Sequence, residues 1–165
     1  MAESFSPDSL PGDKAQRYQT LLDEIAAVLE GERNLTASMA TVASMLAQAF
    51  PSFFWTGFYV VDRDKGDELV VGPYQGTLGC LRIAFGRGVC GAAAMDRRTV
   101  IVPDVEAFPG HIACDSRSRS EIVVPVFDPK GELIAVLDVD STQPAAFDEI
   151  DQAGLEAVVR RVFGG

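Results

Sequence analysis

Apolar residues recur at helical intervals near both ends of the chain and alternate with a period of two through its middle. From Lys14 onward Tyr18, Leu21, Leu22, Ile25, Val28 and Leu29 share one helical face, and Gly31 closes the run. Asn34 can cap a second helix whose Leu35, Met39, Val42, Leu46 and Phe50 point inward, and Pro51 stops it. Near the C-terminus Asp148 can cap a third, with Ile150, Leu155, Val158, Val159 and Val162 on its core face. Between them "FFWTGFYVVDRDKGDELVVGP" reads as a hairpin. Two short strands follow in "CLRIAF", which Cys80 opens, and in "TVIVP"; "GRGVCGAAAM" between them suggests a glycine turn into a short helix at Val89 to Met95. "EIVVPVFDPKGELIAVLDVDS" predicts a second hairpin, turned by Asp128, Pro129 and Gly131.

This order suits an α+β fold, an antiparallel β-sheet with helices packed mostly on one face, and does not read as repeated βαβ units. Residues 1–14, with Pro7, Pro11 and Gly12 among small polar side chains, are expected to form a flexible N-terminal tail, leaving 15–165 as a single domain. The stretch from Val102 to Ser120 has no period at all. Loops of this length inside a compact domain tend to be functional.

Composition narrows the partners. Hydrophobic residues make up 47% of the chain and charged residues 23%, which is globular usage. The net charge of −10 repels nucleic-acid phosphates and anionic membranes, so neither is expected as a partner. There is no run of about 20 apolar residues and no basic, apolar leader at the N-terminus, so a cytoplasmic location is expected. In a reducing compartment three cysteines do not form a structural disulfide framework. They are buried inert thiols, metal ligands or reactive thiols.

Cys114 fits the inert reading least well, because it lies in the long loop between His111 and the cations Arg117 and Arg119, which favour a thiolate. Cys80, Cys90 and Cys114 are spaced by ten and then twenty-four residues, without the close pairs of structural zinc sites. His111 and Cys114, three apart, could ligate one metal ion or act as base and nucleophile, and His111 could equally satisfy a backbone carbonyl. Redox chemistry uses the surplus thiols better: one thiolate is oxidised to a sulfenic acid and a second condenses with it. Asp138 and Asp140, two apart on a strand, project from one face. Pairing through the Asp128 turn would bring Glu121 beside them, and three clustered acids raise at least one pKa. Trp55 and Tyr59 share a strand face, with Gly57 leaving an open spot between them. Strand aromatics ordinarily fill cores, yet an aromatic-walled pocket would suit a thioether or sulfoxide.

The segments "WTGFY", "GPYQGTLGC", "RIAFGRGVCGAAA", "PDVEAFPGHIACDSRSRSEIVVPV" and "VLDVDS" together resemble the GAF-domain family of free methionine-(R)-sulfoxide reductases, over about Leu35 to Val159. The resemblance implies a GAF domain that reduces free methionine-(R)-sulfoxide through a cysteine sulfenic acid and an intramolecular disulfide, with thioredoxin as reductant, usually as a homodimer. It implies no cofactor and no metal. Cys114 is similar to the attacking cysteine, Cys80 to the resolving one, and Cys90 to a third that serves as alternative resolver or relay. Trp55 and Tyr59 resemble the pocket walls. Glu121, Asp138 and Asp140 resemble the acids that hold the substrate ammonium and protonate the sulfoxide oxygen. His111 is expected to order the loop, with thiolate stabilisation as its second role. The alternative is a non-catalytic GAF module that senses a small molecule.

Overall fold

The computed structural model of the chain describes residues 5–112 and 114–164. The first four residues of the expected tail lie outside that range. A short 3-10 helix at Pro7–Ser9 leads to Leu10, which is buried and whose carbonyl accepts from Arg17 Nη1 at 3.1 Å. Asp13 then opens helix α1 (Lys14–Val28) with a capping box: its side chain accepts from Gln16 N and Gln16 accepts from Asp13 N, each at 2.9 Å. Helix α2 (Leu35–Ala49) is capped by Asn34 as expected. Spacing puts Val28, Leu35 and Ile150 on core faces, yet all three are exposed, each in a terminal turn of its helix.

Strands β1 (Trp55–Val61), β2 (Glu68–Gln75), β3 (Arg82–Ala84), β4 (Val100–Val102), β5 (Ser120–Phe127) and β6 (Leu133–Ser141) form one antiparallel sheet in the order β3-β2-β1-β6-β5-β4. Both predicted hairpins are present. Helices α1, α2 and α4 (Glu149–Phe163) cover one face, where Phe58, Ile122, Val124, Leu137 and Val139 meet Leu21, Ile25, Leu46 and Leu155. Each of these fully buried side chains is worth about 1.5–3 kcal/mol by area. Helix α3 (Gly88–Asp96) lies on the other face, against Trp55, Tyr59, Val123 and Val136.

A buried polar junction ties the two terminal helices together. Tyr18 Oη donates to Asp151 Oδ1 at 2.7 Å, and Lys14 Nζ reaches Asp151 Oδ2 at 2.8 Å. Asp151 is almost fully buried, and the two donors from α1 satisfy its carboxyl oxygens.

Among the described residues no helix is long and apolar enough to cross a membrane.

Candidate active site

The pleat of the sheet decides which side chains can meet. Residues that alternate with Phe58, Ile122 and Leu137 must point to the α3 face, and these are Trp55, Gly57 and Tyr59 on β1, Glu121 on β5, and Asp138 and Asp140 on β6. Register then brings them together. Asp140 pairs with Glu121 on one side and Trp55 on the other, and Asp138 pairs with Val123 and Gly57. The acid trio expected from the second hairpin is therefore assembled, under the N-terminal turn of α3.

Burial sets its electrostatics. Glu121 is 6% exposed and Asp138 5%, so desolvation opposes their charged forms. Loss of water, reinforced by Asp140, pushes Glu121 up to about 8. Desolvation and then Glu121 raise Asp138 well above the usual carboxylate range, and desolvation and then Asp138 do the same for Asp140. Three acids this close cannot all ionise at neutral pH, so the cluster holds protons. Asp138 Oδ1 is buried and has no hydrogen-bond partner.

Cys90, in the first turn of α3, sits directly on this cluster, with Sγ 4.0 Å from Glu121 Oε2. Desolvation and the three neighbouring acids raise its pKa, so it is a neutral thiol. His111 approaches from the long loop, Nε2 3.7 Å from Glu121 Oε1. Desolvation lowers the His111 pKa while it raises that of Glu121, so this is a contact between two groups that each favour the neutral form.

Cys80 and Cys114 are joined by a disulfide, with Cα atoms 5.7 Å apart, and Cys90 is the free cysteine. Cys80 does not open a strand as expected. It lies in the loop ahead of β3, because pairing with β2 begins only at Arg82. The bridge links the 76–81 loop to the 103–119 loop over a cavity of about 40 Å³, which Cys90, Cys114, Trp55, Tyr59 and the three acids line. A second latch runs beside it: Trp55 Nε1 donates to Thr77 O at 2.9 Å, and Thr77 Oγ1 donates to Asp115 Oδ2 at 2.9 Å. Asp115 also grips Arg117 at 2.8 Å, and this guanidinium lies 4.9 Å over the Phe54 ring. The Arg117 charge, expected to favour a thiolate at Cys114, is thus directed at Asp115, whose pKa it lowers.

The aromatic wall differs from expectation in one respect. Trp55 and Tyr59 do share a face, with ring centroids 5.6 Å apart. Gly57 leaves no open spot, because Tyr74 fills it: a Cβ at Gly57 would lie 2.2 Å from Tyr74 Cβ. A register shift in β2 opposite Gly57–Tyr59 turns Tyr74 inward, where it stacks on Trp55 at 4.9 Å. Asp115 stands out in the sequence beside His111, Cys114 and Glu121 without a role, and Tyr74 and Thr77 were not singled out by sequence reasoning. The bulge that aims Tyr74 and the latch that joins the loops have no periodic signature.

For metal binding, Cys80 and Cys114 are committed to the disulfide. Among the described residues the trio whose ligand atoms come together is Cys90, Glu121 and Asp138, within 4.8 Å of one another. It is the floor of the cavity itself.

Fold and cavity define a GAF domain: the model for that family matches residues 13–162. The chain is 50% identical over 149 residues to GAF domain-containing protein A of Dictyostelium discoideum, covering 90% of this chain and 92% of that one. It is 39% identical to the free methionine-R-sulfoxide reductase of Escherichia coli, covering 91% and 88%. It also superposes with a TM-score of 0.89 on the crystal structure of free methionine-R-sulfoxide reductase from Neisseria meningitidis in complex with its substrate, at 47% identity and covering 98% and 93%. The chain belongs to the GAF domain family and, within it, to the free methionine-R-sulfoxide reductases.

Proposed function

We propose that this protein reduces free methionine-R-sulfoxide to methionine with Cys114 as nucleophile and Cys80 as resolving thiol. The observation that carries the reading is Asp138 Oδ1, a buried acceptor without a partner in a cavity that a disulfide closes. An orphaned buried carboxylate oxygen calls for a cationic donor, and a free amino acid brings one in its ammonium group. A methionine inside a peptide has no such charge, so the same oxygen selects the free molecule.

In the reduced protein the Cys114 thiolate attacks the sulfoxide sulfur. The sulfoxide oxygen needs a proton as it is transferred, and a carboxyl of the Glu121, Asp138, Asp140 cluster, kept neutral by burial, supplies it. Methionine leaves and Cys114 is left as a sulfenic acid. Cys80 condenses with it, releasing water and forming the observed bridge. Cys90 stays a neutral thiol on the acid cluster and backs up Cys80 as resolver. Trp55 and Tyr59 wall the thioether end, and His111, contacting Glu121, orders the loop that carries Cys114. The cycle starts from free thiols, which suits the cytoplasm, and ends when a thioredoxin returns two electrons. A homodimer is part of the same proposal, and light scattering of the purified protein tests it.

Thiol counting tests the chemistry. Fully reduced protein given free methionine-R-sulfoxide without reductant should lose two thiols per methionine formed, and should lose none with the sulfoxide inside a peptide. No thiol loss with the free compound would point instead to a sensor and overturn the reading.

A further inference from the structure

Leu78 and Leu81 are 80% and 71% exposed, the two most exposed large apolar side chains among the described residues. Single exposed leucines are ordinary. These two flank Cys80, and consecutive Cα atoms are about 3.8 Å apart, so both lie within about 8 Å of one end of the Cys80–Cys114 bridge. Their outward aim is built in. Gly76 and Gly79 let the loop backbone lie flat on the aromatic wall: a Cβ at Gly79 would lie 2.9 Å from Trp55 Cζ2 and 3.1 Å from Tyr59 Oη, and one at Gly76 2.8 Å from Trp55 Cδ1. The Trp55 to Thr77 and Thr77 to Asp115 hydrogen bonds hold it there. With its backbone pressed inward, the loop holds these leucines in water beside the bond that must be reduced.

We infer that Leu78 and Leu81 form the docking surface for the protein dithiol that reduces the Cys80–Cys114 disulfide. The inference rests on the redox reading above and names the surface its reductant uses. Thiol–disulfide exchange requires an incoming thiolate to reach one sulfur of the bridge. Cys114 is exposed and Cys80 half-buried, so attack falls on Cys114. A bond forms between the partner's sulfur and Cys114 Sγ, the Cys80–Cys114 bond breaks, and Cys80 leaves as a thiolate that takes up a proton. The partner's second thiol then attacks the partner's own first sulfur and releases Cys114, which is protonated in turn. The partner ends as a disulfide and this protein has gained two electrons and two protons. A small polar thiol gains nothing from leucines at that spot, whereas a protein with an apolar rim around its attacking cysteine removes both from water. The partner is therefore a protein that presents its dithiol on an apolar surface.

Leu78 also borders the cavity and Leu81 does not, so Leu81 is the cleaner probe. The oxidised protein is mixed, with no sulfoxide present, with reduced thioredoxin or with dithiothreitol, and thiol release is followed by stopped flow. Leu81→Asp should lower the second-order rate constant with thioredoxin at least fivefold and leave that with dithiothreitol within twofold. Leu81→Met should restore the thioredoxin rate, which shows that apolar contact rather than fold is being read. Equal slowing with both reductants, or no change with thioredoxin, would overturn the docking surface. Because no sulfoxide is used, failure of the proposed substrate leaves this outcome unaffected.

Discussion

Replacing Glu121 by glutamine should make the oxidised protein more stable as pH rises, while destroying its reductase activity. The perturbation is nearly isosteric and removes only the capacity to ionise. In the folded state the Glu121 carboxyl is raised from 4.5 to about 8, chiefly by burial. The folded protein therefore holds a proton that the unfolded chain releases between those values. The neutral carboxyl's contribution is complete below pH 4.5 and is lost as pH climbs toward 8. A rise of this size, at 1.36 kcal/mol per pH unit, corresponds to about 5 kcal/mol. Asp138 and Asp140 share the protons of the cluster, so about 2–5 kcal/mol of that loss is expected to belong to this position. Glutamine escapes it. Urea denaturation of wild type and Glu121→Gln with the disulfide intact should agree within about 1 kcal/mol at pH 5, and the variant should be ahead by about 2–5 kcal/mol at pH 8. At about 2–4 °C per kcal/mol in a chain of this size, melting at pH 8 should rise by roughly 5–15 °C. An advantage of the same size at both pH values would refute the claim that burial holds a proton on this cluster.

Cys114→Ser should abolish single-turnover formation of methionine, whereas the double variant Cys80→Ser, Cys90→Ser, which lacks both resolving thiols, should still form one equivalent and leave a sulfenic acid that dimedone traps; methionine release and mass spectrometry read both. Trp55→Phe keeps the aromatic wall but drops the bond to Thr77 O, which should cost about 1 kcal/mol in urea and raise KM for the sulfoxide. Gly57→Ala drives a methyl to 2.2 Å from Tyr74 Cβ and 2.8 Å from Tyr74 Cα, so β1 and β2 must part; a loss of about 1–3 kcal/mol is expected in urea. Asp151→Ala leaves Tyr18 Oη without its acceptor and Lys14 with Asp148 alone, and should cost about 3 kcal/mol, well away from the cavity and with the disulfide still formed.

Much of this molecule was determined by the chain alone, because periodicity and local chemistry are properties of neighbours in sequence. The helical intervals of Tyr18 to Leu29 and of Met39 to Leu46, the caps at Asn34 and Asp148, and both hairpins needed no long-range information. Neither did the shared face of Asp138 and Asp140, nor the approach of Glu121, since a strand's pleat and a short turn already dictate register. Only the tertiary structure decided which thiol met which. Cys80 and Cys114 are 34 residues apart on two aperiodic loops, and their meeting depends on how far each loop leans over the sheet. The same holds for Tyr74, aimed inward by a slip in β2, and for Leu10, buried by a surface that exists only once α1 and α2 are docked. The depth at which the acids lie, and so their protonation, is likewise a property of the assembled layers. A residue pattern records which face a side chain takes; the water left around it is set by everything packed on top.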